Sequence, residues 1–528
     1  MKKICYIIRV KAKGINRIKL DFARPKISVG TCVVILVFSI LASFMFWFRG
    51  MNRGAAFDAT IYSVKAGTGG ITSGMKMASA IDVALITFVS AFVLIAFIYL
   101  VSSVRIIWTR PNGYKKLHYV KKTSIQVWLI VILFFAVFAN DFVYYVSSYA
   151  AYARSGKQNS NYIAENYVDP NSVNITFPEQ KRNLIYIYME SMENSYADKA
   201  AGGALDVNLI PNLTNLAKEN INFSEGQELG GSLFSAHGAT LPGVGWTAAS
   251  LVSQTSGLPL KQYANGGEMD SGNVDDILTR ATVMENVLNT AGYDQVFMCG
   301  SDSAYAGRNN YFMEHGGTTI KDWLTAAGDG IIPAGYNNGF WGMEDAKLYT
   351  YAKQELGQLS QSDEPFALTL LTVDTHFPDG WVDGNTLNLY DNRYENVIAT
   401  SDKQMGEFLS WLQGQDFYNN TTIVIVGDHP TMDKLGEQIQ KNNPDYFRTT
   451  YNCFINSAAA PIVNKGRYFC NFDMFPTVLA SMGVNIDGNR LGLGTNLFSD
   501  QETLIEKDGF EKVAGELAKG SLFYENLQ

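Results

Sequence analysis

The chain has 528 residues, 47% of them hydrophobic and 17% charged, which excludes an intrinsically disordered chain and does not suit an average soluble enzyme. Its net charge of -8 conceals a split: residues 1–150 carry 19 Lys and Arg against four acids (Asp21, Asp58, Asp82, Asp141), leaving 23 basic and 46 acidic residues for 151–528. Two environments follow rather than one globule, and the acidic larger part excludes nucleic acid as a partner, because phosphate backbones need compensating positive charge.

Three apolar runs account for the basic part. Ile27–Phe48 has 22 residues and no charge, about 33 Å as a helix and enough for a bilayer core. Val83–Val104 is of equal length and also uncharged, and Ile125–Val146 is uncharged until Asn140 and Asp141. The first run is too long for a cleaved signal peptide, lacks a small-residue cleavage site and is followed by two more runs. Nine Lys and Arg precede the first span and six lie between Arg105 and Lys122, against four in residues 49–76. The positive-inside rule then puts 1–26 and the second loop in the cytoplasm, and the chain after about residue 147 on the far side of the membrane. The reading is thus a basic N-terminus (1–26), a membrane region (27–146, with spans 27–48, 83–104 and 125–146), a polar linker (147–182) and an extracytoplasmic domain (183–528). A Cys453–Cys470 disulfide is permitted by that compartment, without being specified.

Beyond residue 182, near-continuous apolar strands (Asn183–Met189, Gln295–Cys299, Phe366–Val373, Thr421–Val426, Tyr451–Ile455) alternate with helical patterns (Ile210–Lys218, Val274–Thr290, Glu344–Leu356, Tyr394–Gln413, Met474–Ser481). The expectation is an α/β domain with a mostly parallel sheet covered on both faces. In such sheets ligands bind beyond the carboxyl ends of the strands. Glu190 follows the first strand, Asp374 and His376 the third, and Asp428 and His429 the fourth. Each is individually compatible with a solvated strand end, but together they deliver oxygen and nitrogen ligands suited to a metal. Thr247, in PGVGWTAASLVSQ, opens a helical pattern, where free backbone amides and the helix dipole favour an alkoxide or a phosphoryl group. An ordinary N-cap is the competing reading. Arg308, in the loop after Cys299, is a candidate phosphate clamp.

The motifs MES, GVGWT, GRNN, DTHFP and GDH, in that order across roughly 183–500, resemble the lipoteichoic acid synthase and phosphoglycerol transferase branch of the alkaline phosphatase and sulfatase superfamily. The stretch GVGWTAASLVSQTSGLPL looks closest to bacterial phosphoglycerol transferases. The resemblance implies a sulfatase-like extracytoplasmic domain anchored in a bacterial cytoplasmic (inner) membrane by several helices. It implies Thr247 as nucleophile, a divalent cation (manganese in this branch) held by Glu190, Thr247, Asp428 and His429, Arg308 as phosphate-binding arginine and His376 beside the transferred group. It further implies phosphatidylglycerol or a similar anionic phospholipid as donor, a phospho-threonine intermediate, and a glycan, glycolipid or polymer acceptor. Ala306 stands where lipoteichoic acid synthases commonly have Trp and Cys299 where they have His, so polymer formation is less expected than the basic chemistry. The Cys/Ser-x-Pro-x-Arg signature of bacterial sulfatases is absent around Thr247. A metal-dependent phosphodiesterase or sulfatase-like hydrolase, and a phosphoethanolamine transferase, are the alternative readings.

Overall fold

The computed structural model describes residues 6–8, 17–22, 27–51, 57–66, 71–109, 115–118, 123–236, 239–261 and 276–528. The chain forms two compact units, Met1–Asn52 with Lys76–Ser148, and Arg53–Met75 with Tyr149–Gln528.

In the first unit, β1 (Tyr6–Ile8) and β2 (Arg17–Phe22) precede the helix α1 (Val29–Met51). A short helix α2 (Phe57–Ala66), which belongs to the second unit, separates α1 from α3 (Ser73–Ser103). The strands β3 (Val104–Thr109) and β4 (Lys115–His118) then lead to α4 (Thr123–Gly156). Val29–Gly50, Ser73–Ser103 and Ser124–Gly156 are long and apolar enough to cross a membrane. Ile35, Leu94, Ile98 and Ile130 form their common core. Thr31 donates to Gln126, which donates in turn to Ser102, so polar groups in the apolar bundle are paired across helices. Asp141, the one acid in the third run, lies 3.5 Å from Arg49. Antiparallel pairing in the order β1-β2-β3-β4 joins the N-terminal segment to the loop between α3 and α4. That pairing requires both segments to lie at the same end of the helices, as the distribution of basic residues demands.

The second unit is built on a six-stranded sheet. Its strands are β5 (Asn183–Met189), β6 (Asp294–Cys299), β7 (Thr319–Lys321), β8 (Phe366–Leu371), β9 (Thr421–Gly427) and β10 (Asn452–Ile455). The spatial order is β7-β6-β8-β5-β9-β10, parallel except for β10. Every residue of β5, β8 and β9 is buried, which is why these strands read as near-continuous apolar runs. Alternate residues of β5 face two cores: Tyr186 and Tyr188 enter one, Ile185, Ile187 and Met189 the other. Helices α5 (Pro211–Glu219), α6 (Thr247–Ser256), α7 (Met284–Thr290), α8 (Arg308–Glu314), α9 (Asp345–Leu359), α10 (Arg393–Gln413) and α11 (Met474–Ser481) complete the layers used below.

One sequence expectation needs correction. The helix expected over Val274–Thr290 starts only at Met284, because Leu278 takes a φ of 54° and Val283 is extended at φ -117° and ψ 178°, and no helix runs through either; residues 274 and 275 lie outside the described residues. Cys453 and Cys470 are free thiols, buried in different cores on the two sides of the sheet. The polar stretch 147–182 is ordered at several points. Helix α4 extends to Gly156, Val168 donates to the Gly492 carbonyl, and Ile175–Thr176 pairs with Asn485–Ile486.

Candidate active site

Strand register assembles the site. In the parallel pair β5–β9, Met189 is opposite Gly427, so Glu190 and Asp428 leave adjacent strands at the same level. The chain turns sharply there, with Ser191 at a φ of 52°. Gly427 admits no side chain, since a Cβ would lie 1.7 Å from the Met192 carbonyl. The Ser191 and His429 amides each donate to Asp428 Oδ1 at 2.7 Å, and Ser191 Oγ donates to Glu190 Oε1 at 2.7 Å. His429 Nε2 stands 3.4 Å from both Glu190 Oε1 and Asp428 Oδ2. Its Nδ1 faces the Pro430 carbonyl at 3.0 Å, which only accepts, so Nδ1 carries a proton and Nε2 is the nitrogen turned toward the carboxylates.

Thr247 closes the cluster. Trp246, not Thr247, holds the N-cap position of α6, so Thr247 is no ordinary N-cap. Its hydroxyl instead donates to Glu190 Oε2 at 3.1 Å and lies 3.3 Å from His429 Nε2. A second tie fixes α6 to the same strand end: Ser250 Oγ donates to the Asp428 carbonyl at 2.6 Å.

Electrostatics divides the two acids. Burial works against the charge on Glu190, yet the His429 and His376 rings with hydrogen bonds from Ser191 and Thr247 hold its carboxyl below the ordinary range. Burial and the neighbouring Glu190 push Asp428 up to about 7. Burial opposes the His429 cation, but Asp428 and Glu190 outweigh it and raise the ring's pKa. Asp428 Oδ2 is buried without a hydrogen-bond partner. Glu190, Asp428 and His429 offer ligand atoms all within 4.8 Å of one another. Two buried carboxylates, an orphaned oxygen and an imidazole nitrogen turned toward them are a donor set that fits a divalent cation.

His376 and Arg308 flank this centre. The His376 ring is 4.7 Å from that of Trp341, and its Nδ1 faces the Phe377 carbonyl at 2.6 Å, leaving Nε2 without the proton. Burial lowers its pKa, and Glu190 only partly offsets this. Arg308 begins α8 after Ala306 and Gly307, both in left-handed conformation. Its guanidinium is buried and donates to the Tyr305 and Asp302 carbonyls and Ser301 Oγ. Its charge is felt at His376, but no hydrogen bond joins it to Thr247, Glu190, Asp428 or His429. Sequence reading missed Glu193, whose carboxylate takes both Arg448 nitrogens and the Thr431 amide and so braces the two strand ends together. Its only signal was a second acid three residues after Glu190.

A mostly parallel sheet with a carboxylate, imidazole and hydroxyl cluster at its carboxyl edge defines a sulfatase-like α/β protein. The sulfatase family model matches residues 182–484, and the chain belongs to that family. Phosphoglycerol transferase I of Xanthomonas campestris pv. campestris (strain B100) is 31% identical over 280 residues, which is 50% of this chain and 37% of that protein. Phosphoglycerol transferase I of Salmonella choleraesuis (strain SC-B67) is 30% identical over 267 residues, 49% of this chain and 32% of that protein. The chain thus spans under half the length of these relatives. Among solved structures, lipoteichoic acid synthase LtaP from Listeria monocytogenes is similar at 18% identity and a TM-score of 0.46, over 64% of this chain and 80% of that one.

Proposed function

We propose that the protein is a membrane-anchored, metal-dependent transferase that moves phosphoglycerol from phosphatidylglycerol through a phospho-threonine intermediate to an extracytoplasmic glycan, glycolipid or polymer. The observation that carries this reading is the Thr247 hydroxyl, held 3.1 Å from Glu190 and 3.3 Å from His429 at the start of a helix. The similarity to phosphoglycerol transferases supports the head group.

Glu190, Asp428, His429 and Thr247 would hold the cation, with Mn2+ the ion expected from the sequence resemblance. When bound it would lower the pKa of the hydroxyl and neutralise phosphoryl charge. Thr247 attacks the phosphodiester, diacylglycerol leaves, and phosphoglycerol remains on the threonine oxygen. His376 Nε2, unprotonated at rest, takes up the proton released by Thr247 and gives it to the leaving diacylglycerol oxygen; in the second half it takes the proton of the acceptor hydroxyl and returns it to the Thr247 oxygen. Arg308 and the amides at the start of α6 stabilise charge that builds on the equatorial oxygens. The membrane helices keep the lipid donor at high effective concentration.

Incubating the full chain with phosphatidylglycerol vesicles and Mn2+, followed by peptide mass spectrometry, tests the reading. A glycerol phosphate adduct on the peptide containing Thr247 is expected. Steady glycerol phosphate release without any adduct, equal with and without acceptor, would overturn it in favour of a hydrolase.

A further inference from the structure

Helix α2 lies between the first two membrane-length helices in sequence, yet it packs within the second unit. Its two buried hydrophobic side chains, Ala59 and Tyr62, share a core with Trp246 and Ala306. Asp58 accepts from the Ala59 amide on one oxygen and, on the other, from the Gly243 amide at 2.8 Å. Gly243 sits four residues before Thr247 at a φ of 73°, where a Cβ would meet the Leu260 carbonyl at 2.7 Å. Its own carbonyl accepts from Leu260, so both polar groups of this residue are pinned. One helical turn after Asp58, Tyr62 donates to the Ala306 carbonyl at 2.8 Å, and its ring centroid is 5.6 Å from that of Trp246. The residue before Ala306 is Tyr305, whose carbonyl accepts from Arg308. A single ten-residue helix therefore touches both the turn that carries Thr247 and the turn that carries Arg308.

We propose that α2 is a positioning element of the transfer reaction, in which Asp58 and Tyr62 fix the nucleophile turn and the arginine turn relative to each other. This rests on the assignment of Thr247 as nucleophile. Neither side chain needs to meet substrate. Both act through backbone groups of the turns, where a displacement on the order of 1 Å costs about 10²-fold in rate.

The test uses the full chain in phosphatidylglycerol vesicles with glycerol added as the acceptor hydroxyl, so that the enzyme turns over. Variants Asp58→Ala, Asp58→Asn, Tyr62→Phe and Thr247→Ala are compared by kcat and KM for diacylglycerol release, with hydrogen exchange of the peptide spanning 239–260 measured alongside. Asp58→Ala and Tyr62→Phe should lower kcat by about 10- to 100-fold while KM stays within about twofold. Asp58→Asn, which keeps an acceptor oxygen, should recover most of the loss, and faster exchange at Gly243 should appear in Asp58→Ala but not Asp58→Asn. Wild-type kcat and exchange in Asp58→Ala and Tyr62→Phe would overturn the inference, as would a loss that follows only the folded fraction and is not rescued by Asn. Full activity in Thr247→Ala would sink the nucleophile assignment instead. An inactive wild-type chain would sink the donor assignment and leave exchange at Gly243 to decide the role of Asp58.

Discussion

Thr247 and Glu190 are 57 positions apart in the chain, and their side-chain oxygens meet at 3.1 Å. The contact exists because β5 ends in a sharp turn and α6 is tied to the neighbouring strand end through Ser250 and the Asp428 carbonyl. A hydroxyl placed this way has no capping duty in its own helix, so removing it should cost chemistry rather than fold.

Thr247→Ala is expected to lower transfer by a factor on the order of 10³ or more, with the unfolding midpoint within about 1 °C of wild type. Thr247→Ser keeps the oxygen and should retain measurable turnover. Steady-state rates together with a thermal melt check both statements, and normal turnover of the alanine variant would refute the assignment.

Metal content should follow the buried ligands. The wild-type chain is expected to carry about one divalent cation by elemental analysis, and Asp428→Asn and His429→Ala close to none. A cation that binds only the folded chain at about 100 times its Kd stabilises it by about 2.7 kcal/mol, so chelation should lower the wild-type unfolding midpoint and leave the two variants unmoved. Equal metal content in all three proteins would count against this centre.

Glu285 offers a pH signature away from the metal centre. It is 3% exposed, and neither carboxylate oxygen has a hydrogen-bond partner. Burial pushes its carboxyl up to about 8 from an ordinary value of 4.5. The folded state then binds the proton more tightly than the unfolded one, so the contribution to stability is complete below about 4.5, falls as pH rises and is gone above about 8. The loss should amount to a few kcal/mol. Glu285→Gln titrates nowhere in this range, so its denaturation midpoint should fall less steeply between pH 5 and 8. Parallel pH profiles for the two proteins would exclude a neutral Glu285.

Gly427→Ala probes the strand end itself. The added Cβ would meet the Met192 carbonyl at 1.7 Å, so backbone must shift beside Asp428. A destabilisation of about 1–3 kcal/mol is expected, with weaker metal binding than in wild type. Denaturant titration and metal affinity measured on the same preparation would reveal a site that tolerates the methyl group.

The strands were legible because burial on both faces leaves a near-continuous apolar run: Asn183–Met189 matches its sequence-derived limits, and Thr421–Val426 gains only Gly427. Once the parallel strands were placed, the rule that ligands sit beyond their carboxyl ends pointed to Glu190, Asp374, His376, Asp428 and His429 as candidates. What stayed hidden depends on three-dimensional neighbours. Asp58 and Tyr62 fall in a polar interval between apolar runs, where nothing local signals docking onto residues 185 to 244 positions away. The positive φ at Leu278 and the extended Val283, which together interrupt a helical pattern, are likewise conformations that neither Leu nor Val announces in a sequence. Glu193 and Arg448 find each other across 255 positions, a pairing no spacing rule anticipates.

The placement of α2 also orders events during biosynthesis. Residues 57–66 leave the ribosome well before the two turns they brace, so the late-made segments must fold onto a partner that was delivered first. A soluble fragment cut out behind α4 would begin life without that partner, with the Gly243 amide and the Ala306 carbonyl turned over to water.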